Sequence, residues 1–267
     1  MRSSVARHPG LDIGALKPKD RYVEGIVEVT LDATRHFIRP LTTKRLFAWQ
    51  AALFPTGQSG FHKIATGAWR RDSTGPMQVI SGPFGKEEVH FEAPAASHLK
   101  IEMPRFLKWF NAAPLTDPIL KAAQAYLWFV SVHPFEYGNG RIVRAIADMA
   151  LVLSESTPER FYSMSTQIQE ERAAYYRILE TTQKSATIDI TPWMEWFLAF
   201  LGRAIERSHT ALAGVRKRVN FWQSTATVPI NGRQRQILNR LLNGSEGKTH
   251  HLKIRAAHQM LARHRLT

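Results

Sequence analysis

The sequence predicts an all-α protein: a helical bundle carrying one β-hairpin, followed by a partial C-terminal helical, winged-helix-like extension. Three observations point there. Apolar residues recur at helical spacing through most of the chain. One run, residues 119–132, is apolar nearly all round, the pattern of a helix buried at the centre of a bundle. Residues 57–94 alone change character, with glycines at 57, 60, 67, 75, 82 and 85 and two short alternating stretches.

Taken in order, residues 1–19 read as an irregular N-terminal segment, broken by Pro9-Gly10, Gly14 and Pro18. A helix starts at Asp20 with Val23, Ile26, Val27, Thr30, Leu31 and Ala33 as its stripe. A second covers about 42–53, with Leu46, Phe47, Trp49 and Leu53 as core, and Pro55-Thr56-Gly57 stops it. Within a hairpin at about 75–94, residues 77–80 and 88–91 alternate as half-buried strands. Its edge, with Val79, Ile80, Val89 and Phe91, offers an extended segment a place to dock. Helix returns over about 97–111, where Leu99, Ile101, Met103, Phe106, Leu107 and Phe110 lie mostly on one side. Thr116-Asp117-Pro118 supplies a cap and a first-turn proline for helix 119–132. That helix ends at His133-Pro134, because a proline keeps its predecessor out of the helical region.

Further helices follow at about 140–153 and 167–183, the latter containing Tyr175 and Tyr176. Another spans about 192–206, with Trp193, Trp196, Phe197 and Phe200 facing the core and a basic continuation to Trp222. Residues 231–243 form a last amphipathic helix, the opening of a small winged-helix-like unit. The domains expected are thus 20–222, and a partial unit with a basic tail at 223–267.

Composition narrows the function classes. There is no cysteine, which excludes disulfides and thiolate metal sites and suits a reducing cytoplasm. The N-terminus lacks an apolar leader core, and no apolar run reaches membrane-spanning length, so no membrane partner is expected. The net charge of +14 is unevenly placed. From Leu201 onward there are thirteen Lys/Arg against two acids, Glu206 and Glu246, so a nucleic-acid partner would belong to residues 223–267.

The chemistry concentrates in His133-Pro134-Phe135-Glu136-Tyr137-Gly138-Asn139-Gly140-Arg141-Ile142-Val143-Arg144. A Gly-Asn-Gly turn opening a helix points backbone N–H groups outward, with the positive helix end behind them, which makes a phosphate cradle. Arg141 and Arg144, three apart, project from one side of the first turn and can grip further phosphate oxygens. His133 precedes the cradle with a side chain suited to taking a proton near neutrality. Singly, each feature is most often a turn, a core histidine or a solvated face. Together, a proton acceptor beside an anion hole indicates transfer of a phosphorus-containing group to a hydroxyl. Rival motifs (a P-loop, G-x-G-x-x-G, G-x-S-x-G, H-E-x-x-H) are absent.

This stretch resembles the signature of the Fic family, H-P-F-x-[DE]-G-N-G-R-x-x-R, and the resemblance extends in element order over roughly residues 11–221. It implies a Fic-type helical bundle with a flap hairpin that clamps the target backbone. It also implies AMP transfer from ATP to a Ser, Thr or Tyr hydroxyl of a target protein. By the resemblance, His133 is the base, Phe135 anchors the loop, and Gly138, Asn139 and Gly140 form the anion hole. Arg141 binds the β/γ-phosphates, Arg144 positions the γ-phosphate, and Tyr175 and Tyr176 lie where relatives line the adenine pocket. The family's acidic residue, which holds Mg²⁺, is replaced here by Tyr137. A phenol with a pKa near ~10 does not substitute for a carboxylate, and Glu136 should point elsewhere, so weakened Mg²⁺ binding and slowed transfer are expected.

Many relatives also carry an inhibitory [ST]-x-x-x-E-[GN] helix. Asp20-Arg21-Tyr22-Val23-Glu24-Gly25 is a near match without the hydroxyl residue and falls in a core helix, so it reads as a decoy. By likeness to a subgroup with a C-terminal winged-helix-like extension, the chain is expected to be shortened at both ends. It begins after the inhibitory helix, and beyond Lys248 it resembles another reading frame of relatives. The alternatives are a degenerate, non-catalytic nucleotide-binding or interaction module, and a DNA-associated regulator acting through the basic C-terminal unit.

Overall fold

Thr42 opens the second helix by accepting a hydrogen bond from the Arg45 N–H (3.2 Å), and similar local devices place most of the elements. The computed structural model describes residues 18–59, 62–73, 75–83, 86, 88–113, 117–155 and 162–243. Residues before 18 and after 243, where the expected shortened start and altered tail fall, lie outside them. The chain divides into two compact units, 1–206 and 207–267.

In the first unit the helices are α1 (Pro18–Arg35), α2 (Thr43–Leu53), α3 (Leu99–Asn111), α4 (Pro118–Val132), α5 (Asn139–Glu155), α6 (Met164–Glu170), α7 (Arg172–Gln183) and the start of α8 (Thr191–Ser224). Between α2 and α3 lie a small hairpin, β1 (Gln58–Ser59) with β2 (His62–Lys63), and the larger hairpin, β3 (Gln78–Ser81) with β4 (Glu88–Glu92). The fold is mostly helical with hairpin sheets, as expected, although β1–β2 escaped the sequence reading because its strands are too short to show a period.

α4 forms the centre. Asp117 caps it by accepting the Ile119 N–H (2.7 Å), Pro118 fills the first turn, and Ala122, Ala123, Tyr126 and Phe129 are all essentially buried. α5 packs against α4, and its Ile142, Val143, Ile146 and Ala147 are fully buried in the core. α1 and α2 also pack against α5.

Three local expectations need correction. α1 turns Gly25, Val29 and Ala33 inward and leaves Ile26 and Leu31 exposed, because its seat on α2 is set by small residues and by Asp32. Asp32 accepts from Arg45 Nε (2.7 Å) and Trp49 Nε1 (2.6 Å) and pairs with His36 (2.9 Å). Burial alone would raise its pKa, but hydrogen bonds from Arg45, His36 and Trp49 hold it below the ordinary carboxylate range. Ile101, grouped with the residues mostly on one side of α3, departs from that side and is exposed. The single helix expected over 167–183 is two helices broken at Glu171, whose carboxylate leaves the run to grip Arg203 with two 2.6 Å bonds.

Gly25 has a sharper consequence. A Cβ there would lie 1.9 Å from the Ala52 carbonyl oxygen, a backbone atom that cannot swing away. Gly25→Ala is therefore expected to destabilise the fold by about 1–3 kcal/mol through overpacking, lowering the melting temperature by several degrees in circular dichroism. An unchanged melting temperature would refute this close approach.

The second unit contains the end of α8 and α9 (Gly232–Asn243). Asn231 and Gln234 cap α9 reciprocally: Asn231 Oδ1 accepts the Gln234 N–H (2.9 Å) and Gln234 Oε1 accepts the Asn231 N–H (3.0 Å). Phe221 and Leu238 form its small buried core. Any wing following α9 would fall outside the described residues.

Candidate functional site

α4 delivers His133 to the start of the loop. His133 has φ 50° and ψ 56°, a left-handed conformation that no other non-glycine residue adopts among those described. Such a backbone state is uncommon for a residue with a Cβ and persists only where surrounding bonds over-determine it. Here its N–H donates to the Phe129 carbonyl (3.0 Å) and its carbonyl accepts from Arg70 Nε (2.8 Å).

The imidazole is fixed as well. Nδ1 lies 3.2 Å from the Val130 carbonyl. A carbonyl only accepts, so Nδ1 carries the proton and Nε2 is left with a lone pair. Burial lowers the histidine pKa; the Arg70 charge lowers it further, against the opposing pull of the Val130 carbonyl. The ring is therefore neutral and basic at Nε2 at physiological pH.

The rest of the loop is held from inside. Phe135 is fully buried against Trp69 (ring centroids 5.0 Å), Phe47 (6.2 Å) and Phe129 (6.4 Å), which makes it an anchor. Asn139 is also buried: Oδ1 accepts the Phe135 N–H (3.0 Å) and Nδ2 donates to the Phe135 carbonyl (2.7 Å). Its side chain thus cinches the loop, and only its backbone N–H remains for the cradle. Gly138 has φ 95° and packs on Phe54, whose ring would lie 2.9 Å from an added Cβ, so both conformation and space require glycine. Its carbonyl accepts the Arg141 (2.9 Å) and Ile142 (3.0 Å) N–H groups, starting α5. The Asn139 and Gly140 N–H groups precede any intrahelical acceptor and lie at the positive end of the helix.

Arg141 lays its guanidinium over the Phe54 ring, 4.6 Å from the centroid. Arg144 folds back toward the helix start, where an added Gly140 Cβ would lie 3.6 Å from its Nη1. Burial raises the Tyr126 pKa, and the nearby Arg144 charge opposes that rise. The structure therefore sets two guanidiniums around the first turn of α5.

Tyr175 and Tyr176 part ways. Tyr175 is buried, its hydroxyl 3.0 Å from that of Tyr126, and burial pushes its pKa well up. Tyr176 is half exposed, with the Arg172 guanidinium 5.6 Å from its ring centre. In the β3–β4 hairpin a bulge falls between Val79 and Ile80. It leaves the Ile80–Val89 pair exposed and the Val79–Phe91 pair half-buried. His90 ties β4 to α7 through Glu180 (3.0 Å).

Loop carboxylate chemistry does not suit a divalent cation. The Glu136 carboxylate accepts the Ala65 N–H (3.0 Å), and Tyr137, 41% exposed beside Phe54, presents a phenol. Among the described residues no cluster of three His, Asp or Glu is arranged to hold a metal. Nor is any described helix long and apolar enough to cross a membrane.

Arg70 escaped the sequence reading, although it joins the loop to the hairpin. It is 3% exposed. Besides the His133 carbonyl, its guanidinium bonds Asp72 (2.5 Å) and the Pro94 carbonyl, and its N–H donates to the Pro134 carbonyl (2.9 Å). Asp72 in turn accepts the Ala96 N–H (2.5 Å). Nothing in the sequence distinguishes Arg70 from its exposed neighbour Arg71.

Residues 40–151 match the family described as Fic/DOC family. Over 135 residues the chain is 30% identical to the "Protein adenylyltransferase Fic" of Culex quinquefasciatus and 29% identical to that of Aedes aegypti. Each match covers 49% of this chain and 24% of the relative, so the chain spans about a quarter of the length of these curated relatives. Among solved structures, a Fic family protein from Desulfovibrio desulfuricans superposes with TM-score 0.55 at 22% identity, covering 79% of this chain and 59% of that one. A Fic domain containing signaling protein from Bacteroides thetaiotaomicron gives TM-score 0.54 at 19% identity, with 79% and 80% covered. These two likenesses are of fold.

Proposed function

We propose, from the match of residues 40–151 to the Fic/DOC family, that the protein transfers AMP from ATP to a Ser, Thr or Tyr hydroxyl of a target protein. The observation that carries this reading is the fixed imidazole: Nδ1 is bound to Val130, leaving a basic Nε2 on the loop that leads into the α5 cradle. Nε2 of His133 takes the proton of the target hydroxyl. The hydroxyl oxygen bonds the α-phosphorus in line, the bond from that phosphorus to the α–β bridging oxygen breaks, and pyrophosphate leaves. The Asn139 and Gly140 N–H groups, Arg141 and Arg144 neutralise the phosphate charge, fixed in place before the reaction begins. The exposed Tyr176 ring is the face assigned to adenine, with Tyr175 supporting it from the core. Ile80 and Val89 on the hairpin face the target segment.

We take residues 20–222 as the catalytic domain, 75–94 as its flap and the cytoplasm, where ATP is abundant, as its setting. The test is incubation with cell lysate and ATP labelled at either the α- or the γ-phosphate. Label is expected on protein from the α position alone; label arriving from the γ position would replace this reading with phosphoryl transfer.

Tyr137 favours a second reading, a nucleotide-binding module that transfers slowly or not at all. Restoring an acid decides between them. Tyr137→Asp is expected to raise Mg²⁺-dependent labelling by ~10-fold or more, since a bound cation offsets charge on the departing pyrophosphate. Equal rates in the two proteins, each fully Mg²⁺-dependent, would show that Tyr137 costs nothing.

A further inference from the structure

Outside the nucleotide site, residues 207–243 contain seven Lys/Arg and no Asp or Glu. Exposed along this unit are Arg207, Arg216 and Lys217 on α8 and Arg233 and Arg235 on α9. Thirty-seven residues without a carboxylate cannot neutralise their own surface, so the field is complementary to a polyanion.

The same unit holds an open groove of about 700 Å³ between the end of α8 and α9. Its lining includes Arg218, Val219, Trp222, Gln223 and Asn239. Trp222 is partly buried, with the Arg235 guanidinium 5.0 Å from its ring centre. An indole braced by a cation is a stacking platform. Gln223 and Asn239 are exposed amides that both donate and accept, as base edges do. Arg218 in the groove, with Arg216 and Lys217 beside it in sequence, supplies charge for a phosphate chain.

We propose that this groove binds single-stranded nucleic acid, one base entering beside Trp222 while the flanking cations track the backbone. Stacking faces lined by cations suit unpaired bases, whose flat faces a duplex hides. An anionic lipid surface would use the positive charge but not a concave groove edged with amides. This inference is independent of the AMP-transfer reading.

The test uses the full chain and fluorescein-labelled 20-nucleotide RNA and DNA single strands, followed by anisotropy from 50 to 300 mM KCl. The matching duplex and vesicles of phosphatidylserine serve as competitors. Single strands are expected to bind with affinity falling steeply as salt rises. Trp222→Ala should weaken binding about ten-fold, and Trp222→Phe, which keeps a ring, should restore most of it. Because Trp222 also packs on the small core of Phe221 and Leu238, the exposed Asn239→Ala and Lys217→Glu serve as second variants, each expected to weaken binding several-fold with unchanged circular dichroism. Duplex or vesicles competing as well as single strands would overturn the proposal. So would binding unaffected by all of these substitutions, which would assign it to residues beyond 243, or no binding at 50 mM KCl.

Discussion

Replacing His133 is expected to remove AMP transfer while ATP still binds. The base contributes through one lone pair, so His133→Ala should lower the transfer rate by ~100- to 10,000-fold, the range for a lost general base. The α5 cradle is untouched by the change, so ATP affinity should stay within a few-fold. His133 occupies the left-handed region, where alanine is strained and asparagine is better tolerated. His133→Asn is therefore the companion variant, keeping the backbone state while removing the base. Transfer retained in either protein would dismiss this histidine as the proton acceptor. The pH profile supplies a second check. The base works when neutral, and burial holds the pKa of His133 below the ordinary 6.5. Activity should consequently persist below pH 6.5 and fall only as the pH drops through the lowered value. An acid limb of kcat/KM centred at or above 6.5 would contradict the buried imidazole.

The second large effect is expected at Arg70. Its guanidinium holds the carbonyls of His133 and Pro94 and the Asp72 carboxylate at once. Arg70→Met would leave Asp72 a partly buried charge without its cation, a change of about 3–5 kcal/mol where a buried pair is broken. The melting temperature should fall by about 10 °C or more. Asp72→Asn added to Arg70→Met should recover part of that loss by removing the stranded charge. Catalysis separates this role from mere stability. Below the melting transition, kcat should drop about 100-fold while KM for ATP changes little, because the loop's register depends on Arg70 and the α5 cradle does not. Arg70→Lys keeps the charge but cannot reach all these partners, and is expected to restore stability more than kcat. A kcat that tracks only the folded fraction would reduce Arg70 to a structural residue.

Much of this could be read without coordinates. Asp117 and Pro118 announce α4, Pro134 ends it, and Gly138 with Asn139 launches α5, each acting within a few residues. The alternation at 77–80 and 88–91 foretold β3 and β4 because the period of a strand is local. The loop from His133 to Arg144 was legible for the same reason. Less legible were the partners. Asn139 reads as part of an anion hole, but nothing local shows that its side-chain amide is spent on the Phe135 backbone, leaving only its backbone N–H for that role. Tyr175 and Tyr176 are adjacent letters, and only the packing of α7 against Tyr126 and Trp196 sends one inward and leaves the other in solvent.

The sequence by itself determined where helices start and stop, where the chain reverses, and that one histidine precedes a glycine turn with two arginines. Those choices rest on φ restrictions and on groups within a turn or two of each other. Tertiary structure alone decided the face α1 buries, the break at Glu171 and the service of Arg70 to a loop sixty-three residues downstream. Each of these depends on which distant group supplies the missing hydrogen bond, and no local pattern encodes that.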